Sequence, residues 1–113
     1  MKIAFTSTGA DWDAIIDPRF GRTDFLLFYD EEKDELTHFD NRDVTGVAHG
    51  AGPRTSQRIY EHGAQVLITG NGPGGNAAAA LKQMNIRIFM GAGGMTAREA
   101  YQAYKEEKLP QGA

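Results

Sequence analysis

Cysteine is absent from this sequence, and its absence excludes several classes of protein together. Without thiolates the chain can form no disulfide bond, no cysteine-ligated zinc or iron–sulfur site and no cysteine nucleophile. Long apolar runs are missing too, because none approaches the ~20 residues that a membrane-spanning helix needs. The N-terminus has no signal-peptide pattern, so we expect a cytoplasmic protein with no membrane partner.

A strong excess of one charge is also lacking. The 12 basic and 15 acidic residues give a formal net charge of −3, which argues against nucleic acid as a partner. A length of 113 residues suits one domain with a hydrophobic core of its own. Since no repeat or linker interrupts the chain, we expect one α/β domain over residues 1–113, with residues 110–113 as a loose tail. We expect a monomer or a weak homo-oligomer.

Glycine, by contrast, is abundant, and one dense cluster directly follows a short apolar run. Val66–Ile68 predicts a strand buried on both faces, and Ala77–Ala80 predicts a helix. Between them the chain must turn, so backbone N–H groups and the positive end of a helix dipole point at the space above the turn. The pattern predicts an anion site, although the same glycines could serve packing alone. The candidate contacts in this turn are Gly70, Asn71, Gly72, Gly74 and Gly75.

The spacing of Gly70, Gly72 and Gly75 also matches the dinucleotide-binding pattern G-x-G-x-x-G. That pattern needs an acidic residue about 20 positions further on, at the end of the next strand, to bind a ribose. Here the next predicted strand, Ile86–Met90, ends in methionine, and no Gly-Lys-Ser/Thr of a Walker A loop follows the turn. A nucleotide- or phosphate-binding protein that uses the turn at 70–76 therefore stays as an alternative hypothesis.

Hydrophobic periodicity along the chain predicts the element order βββαβαβα. The predicted strands are Lys2–Ser7, Phe25–Tyr29, Glu35–Phe39, Val66–Ile68 and Ile86–Met90, and the predicted helices run from Pro53 to about His62, from the glycine turn to Met84, and from the capping box Thr96–Glu99. This order predicts an α/β fold with a five-stranded mixed sheet and helices on its faces, which resembles the ribonuclease H-like motif. The loops after strands one, three, four and five then emerge at one edge, where ligands of open α/β sheets bind.

Two arginines and one histidine are the side chains at this edge that are best suited to bind an anion or a metal. Arg19 and Arg22 carry forked guanidinium groups suited to polyatomic anions. His49 could ligate a metal, donate a hydrogen bond or face water. Further backbone donors could come from Gly50 beside the histidine, and from Gly91 and Gly93 in the turn after the last strand.

The loop at 9–24 is long, and it holds both arginines. This loop and the loop at 40–52 are expected to lack apolar anchors for most of their length and to be mobile, as loops that admit a ligand often are.

The chain shows little sign of catalytic chemistry. No serine or threonine has the sequence context of a catalytic triad, and no two carboxylates have a spacing that indicates a catalytic pair. The first predicted strand carries no carboxylate, which a two-metal nuclease with this element order would need. We therefore expect a protein that is not an enzyme.

Several of these segments, taken in order, resemble the dinitrogenase iron–molybdenum cofactor biosynthesis family. They are Arg19-Phe-Gly-Arg22 before the strand at 25–30, His49-Gly-Ala, Gly63-Ala, the strand and glycine turn at 66–76, Gly91-Ala, and Tyr104 before Leu109. The resemblance implies a ribonuclease H-like fold without nuclease activity. It also implies binding or carrying of an anionic metal–sulfur cluster, of the iron–molybdenum or molybdenum–copper type. Cluster-assembly or acceptor proteins would then be partners.

The chain departs from the family at one position. Many members have His-Phe-Gly-Arg where this chain has Arg19-Phe-Gly-Arg22, so metal ligation at position 19 is not expected, and His49 is the candidate metal ligand. With no cysteine either, a cluster would be held non-covalently, mainly by charge and hydrogen bonds.

Beside the cluster-binding and the nucleotide-binding hypotheses, a third hypothesis is an adaptor whose glycine-rich edge docks a protein and holds no ligand.

Overall fold

The structure is a computed structural model that describes residues 1–46 and 49–112, without the side chain of Thr45. The described residues form five strands and three α-helices in the predicted order βββαβαβα, with a 3₁₀ turn at Arg42–Gly46. The strands are β1 (Lys2–Ser7), β2 (Phe25–Asp30), β3 (Glu35–Asp40), β4 (Val66–Ile68) and β5 (Arg87–Phe89). The helices are α1 (Ala51–Glu61), α2 (Gly75–Gln83) and α3 (Ala97–Lys105).

The sheet is mixed, with the spatial order β3-β2-β1-β4-β5. β2 is antiparallel to both β1 and β3, whereas β4 is parallel to β1 and β5 is parallel to β4. β1, β3, β4 and β5 therefore run in the same direction, and their carboxyl ends share one edge. The predicted fold class is confirmed, and the arrangement is compatible with the ribonuclease H-like motif.

The alternating side chains of β1 divide the core into two layers. Ile3 and Phe5 pack on the face that α3 covers with its alanines, such as Ala100. Ala4 points to the other face, where Ile59 of α1 and Leu81 of α2 are fully buried. The single helix therefore covers one face and the pair α1 and α2 the other. No helix in the described part of the chain is long and apolar enough to cross a membrane.

The loop between β1 and β2 is anchored by apolar side chains, so the expectation that it lacks them was wrong. Ile16 is fully buried and Phe20 is 5% exposed. Main-chain hydrogen bonds add to this, since Ile16 N donates to Met95 O at 2.8 Å and Asp17 N donates to Thr6 O at 3.0 Å. The sequence concealed this because Ile15 and Ile16 are adjacent in an irregular loop, with no periodicity to mark Ile16 as the core residue.

The expectation of a loose C-terminal tail is also wrong over residues 110–112. Met90 N donates to Pro110 O at 2.9 Å, and Gly112 N donates to Ile88 O at 2.7 Å. These bonds lay the tail along the outer edge of β5, which would otherwise have unpaired N–H and C=O groups. Ala113 lies outside the described residues.

We predict that Ile16→Ala lowers the free energy of unfolding by about 2–5 kcal/mol, because it empties a fully buried position. Ile15→Ala is the matched control: Ile15 is 42% exposed, and its truncation should cost no more than about 1 kcal/mol. Urea unfolding of both variants measures the difference. Equal losses would contradict anchoring of the loop through Ile16.

Candidate functional site

An open pocket of about 460 Å³ lies at the carboxyl edge of the sheet, on the face covered by α1 and α2. Three segments line it: residues 19–22 from the first loop, residues 49–53 at the start of α1, and residues 74–77 at the start of α2. The shared direction of β1, β3 and β4 explains why these segments meet, since each follows one of those strands. A volume of this size is within the usual range for small-molecule sites.

Two helices begin at this pocket, and glycine is the N-cap of each. Gly50 precedes α1 and Gly74 precedes α2, and neither can offer a side-chain acceptor to the first N–H groups of its helix. Neither first turn contains an acidic residue. In α3, away from the pocket, Thr96 and Glu99 form a complete capping box. The positive ends of α1 and α2 thus have no compensating acidic residue in their own first turns.

The base of the pocket is formed by close backbone packing at two glycines. A Cβ atom on Gly21 would lie 2.9 Å from the main-chain nitrogen of Gly52, closer than real Cβ atoms come. A Cβ on Gly52 would in turn lie 3.2 Å from the Cβ of Ala77. Thr55 Oγ1 also donates to Gly21 O at 2.9 Å. The first loop and the two helix starts are therefore in direct contact.

Arg19 lines the pocket, but its guanidinium group is bound within the chain. Its Nε donates to Asp17 Oδ1 at 3.1 Å and its Nη2 to Asp17 Oδ2 at 3.0 Å, with Asp24 Oδ1 a further 3.4 Å contact. The Asp17 side chain is 1% exposed. Burial raises the pKa of this carboxyl, but hydrogen bonds from Arg19 and from the Asp24 N–H outweigh burial and leave the pKa below its ordinary 3.8.

Arg22 and His49 are the other two predicted site residues whose side chains line the pocket. Arg22 Nη1 donates to Val44 O at 3.1 Å, which holds the arginine beside the 3₁₀ turn. The described residues that line the pocket include two arginines and no carboxylate. His49 is exposed at the rim. Within residues 1–46 and 49–112, no three His, Asp or Glu side chains come together to hold a metal, so His49 belongs to no such group there.

The predicted site residues divide into two groups. Those that line the pocket are Arg19, Arg22, His49, Gly50, Gly74 and Gly75. Those outside its lining are Gly70, Asn71, Gly72, Gly91 and Gly93. The glycine turn at 70–76 therefore contributes its second half to the pocket, while its first half and the turn at 91–93 lie elsewhere.

The first half of the glycine turn packs against other loops of the chain. A Cβ on Gly70 would lie 2.7 Å from the Cα of Pro18, and one on Gly72 would overlap the side chain of Met90. Asn71 N donates to Pro18 O at 2.9 Å, and Gly91 N donates to Gly70 O at 3.0 Å. Packing against the Pro18 backbone thus requires glycine at position 70, whereas the atoms near Gly72 belong to the flexible side chain of Met90. The packing interpretation is therefore favoured at Gly70.

Sequence reasoning missed the buried polar residues that support the pocket. Asn41 is fully buried, and its Nδ2 donates at 3.1 Å both to Thr23 O and to Thr55 Oγ1. Arg58 Nη1 donates to Asn41 Oδ1 at 2.6 Å. Together with Asp17, these groups tie the first loop to α1. A short polar residue before a proline or after a strand is a turn signal, but no sequence pattern reveals its burial.

Fold and pocket together define a small α/β domain of the ribonuclease H-like type with a candidate site at the carboxyl edge of its sheet. Within that class, the chain belongs to the dinitrogenase iron–molybdenum cofactor family, whose model matches residues 1–107. The resemblance that the sequence motifs indicated is thereby confirmed.

Two solved structures are similar to nearly the whole chain. The apo form of the orange protein from Desulfovibrio gigas is 33% identical, with a TM-score of 0.93 over 99% of this chain and 92% of that one. A NifB-like protein from Thermotoga is 31% identical, with a TM-score of 0.83 over 97% of this chain and 91% of that one. Curated protein sequences give no match.

We predict that Asp17→Asn destabilises the protein near neutral pH and that its difference from the wild type shrinks in acid. The folded pKa of Asp17 lies below 3.8, so folding favours the charged form. That contribution is complete above the unfolded value and is lost as the pH falls through the lower folded value. Urea unfolding at about pH 7 and at about pH 2.5 measures the change.

Asp13→Asn is the control for this measurement, since its carboxylate is 82% exposed in the same loop and should matter little at either pH. A difference between Asp17→Asn and the wild type that stays constant from neutral to acid pH would contradict the prediction.

Proposed function

We propose that the protein binds an anionic metal–sulfur cluster in the pocket between residues 19–22, 49–53 and 74–77, and that it acts as a carrier without catalytic activity. The observation that carries this proposal is the convergence of two glycine-capped helix N-termini on a pocket whose described lining contains no carboxylate. Membership of the iron–molybdenum cofactor family and the similarity to the apo orange protein support a cofactor-binding role.

Physical chemistry explains how such a pocket would hold a cluster without a covalent bond. Each helix N-terminus contributes about 0.3–1 kcal/mol toward an anion at an exposed site, and up to about 2 kcal/mol where it is partly buried. A charge-assisted hydrogen bond from Arg22 would add about 1.5–3 kcal/mol. The lining also contains apolar residues, which suit the large, weakly hydrated sulfide face of a cluster. They are Phe20, Ala51, Pro53 and Ala77.

The finer identity of the cargo is part of the proposal. An iron–molybdenum or a molybdenum–copper cluster would present sulfide and net negative charge to the same N–H donors and to Arg22. Assembly or acceptor proteins would be the partners, because the pocket opens to solvent and a bound cluster would remain accessible. The nucleotide alternative loses support at Gly70 and Gly72, which pack against Pro18 and Met90.

A charge placed in the first turn of α2 should separate stability from binding. We predict that Gly75→Asp weakens binding of tetrathiomolybdate about tenfold or more relative to Gly75→Asn, because a carboxylate there repels the anion. Neither side chain meets another atom within 4 Å at the Cβ position. The aspartate should leave the melting temperature equal or higher, since an acid at this end favours the helix dipole.

Titration of both variants with tetrathiomolybdate, followed by absorbance and by melting curves, measures the two effects. ATP titrated in parallel tests the nucleotide alternative. Equal affinities of Gly75→Asp and Gly75→Asn for the thioanion would remove the helix terminus from the proposed site.

Side-chain charge at the pocket should contribute independently of the helix ends. We predict that Arg22→Ala weakens tetrathiomolybdate binding about ten- to a hundredfold, the loss of one charge-assisted hydrogen bond. Arg87→Ala is the control, because it removes the same charge from β5, outside the pocket lining. His49→Ala separates the mechanisms: a small effect fits electrostatic holding, whereas a large one indicates metal coordination. Unchanged affinity in Arg22→Ala would contradict the proposal.

A further inference from the structure

One buried carboxylate closes the segment of the first loop that lines the pocket. Asp17 Oδ1 accepts hydrogen bonds from the main-chain N–H of Arg19 at 3.0 Å and from its Nε at 3.1 Å. Asp17 Oδ2 accepts from Arg19 Nη2 at 3.0 Å and from the main-chain N–H of Asp24 at 3.1 Å. The same carboxylate therefore binds both ends of residues 19–24, and the pocket-lining residues 20–22 lie between them.

The charges around Arg19 leave it little attraction for an external anion. Its guanidinium lies within 3.0 Å of the Asp17 carboxylate and within 3.4 Å of the Asp24 carboxylate. One positive group against two negative groups makes the local sum −1. The forked contact to Asp17 also uses both the Nε and the Nη2 sides of the group, in a geometry that a lysine cannot reproduce.

The closed segment carries the contacts that shape the pocket. Gly21 lies against the main chain of Gly52 and accepts a hydrogen bond from Thr55 Oγ1. Arg22 follows directly and reaches Val44 O. The backbones of Gly21 and Gly52 are in direct contact, with no room for a Cβ atom at Gly21. A displacement of the segment would therefore change how the first loop packs on the start of α1.

We infer that Asp17 and Arg19 act together as a positioning pair for the proposed anion site, and that Arg19 affects binding through the shape of residues 20–22 instead of through contact with the anion. The inference rests on the proposed function, and it assigns different roles to two arginines that the sequence alone does not distinguish. Arg22 is the arginine that meets the ligand, and Arg19 is the one that shapes the loop.

The test is a set of variants titrated with tetrathiomolybdate: Asp17→Asn, Arg19→Ala, Arg19→Lys, the double variant Asp17→Asn/Arg19→Ala, and Arg22→Ala combined with each single change. Removing a residue that supports ligand-contacting groups typically weakens binding about ten- to a hundredfold. We expect a loss of that size for Asp17→Asn, Arg19→Ala and Arg19→Lys alike. The double variant Asp17→Asn/Arg19→Ala should bind tetrathiomolybdate no more weakly than the weaker-binding of its two single variants. Adding Arg22→Ala to any of the single changes should instead lower the affinity by a further, independent factor.

Two results would overturn the inference. Wild-type affinity in Arg19→Lys together with a loss in Arg19→Ala would show that the charge of Arg19 acts on the anion directly. Unchanged or tighter binding in Asp17→Asn would show that releasing Arg19 helps the ligand. Melting curves ensure that each titration is made on folded protein, and Arg19→Lys keeps the test decisive if Asp17→Asn does not fold.

A second readout needs no ligand. Amide chemical shifts of Gly21, Arg22 and Asp24 should move together in Asp17→Asn, Arg19→Ala and Arg19→Lys, and should stay in place in Arg87→Ala. If the wild type binds no thioanion, the proposed function fails, and this pattern alone then decides whether the pair orders the loop. Shifts confined to the mutated residue would refute the positioning pair in either case.

Discussion

β1 has an antiparallel neighbour on one side and a parallel neighbour on the other, and the candidate site depends on that pairing. Because β2 runs back beside β1 and β3 returns, every strand except β2 delivers its carboxyl end to one edge. The loop after β1, the start of α1 and the start of α2 meet there as a direct result. Small residues then allow contact, since Gly21 and Gly52 have no side chain and Ala77 has only a methyl group.

The helix starts and the first loop satisfy their polar groups in different ways. At α3 the chain satisfies its own helix terminus with Thr96 and Glu99, an arrangement whose loss typically costs about 1 kcal/mol. At α1 and α2 it has Gly50 and Gly74 instead, and a glycine N-cap is less stabilising than a polar one by only about a few tenths of a kcal/mol. The first loop differs again, because Asp17 there satisfies four donors at once. The loop is held internally, while the starts of α1 and α2 have no side-chain cap.

The sequence was sufficient to predict the fold, and about half of the predicted site residues line the candidate pocket. Apolar runs such as Val66–Ile68, the capping box at Thr96 and the hairpin order predict the sheet and its common edge, because these signals are local. The pairing of Arg19 with Asp17 was not predictable, since it depends on the burial of Asp17, which only tertiary packing produces. Gly70 and Gly74 are equally plausible as anion contacts in sequence. Their difference arises from Pro18, which packs on Gly70 and not on Gly74.

The location of the site can be measured directly by titrating the isotopically labelled wild-type protein with tetrathiomolybdate and following its amide resonances. An anion held by the helix ends should shift the amides of residues 50–52 and 74–77 most, with Gly21 and Arg22 next. The amides of Gly70, Gly72, Gly91 and Gly93 should barely move. Shifts concentrated at 70–72 and 91–93, with little change at the starts of α1 and α2, would place the anion elsewhere and contradict the proposed site.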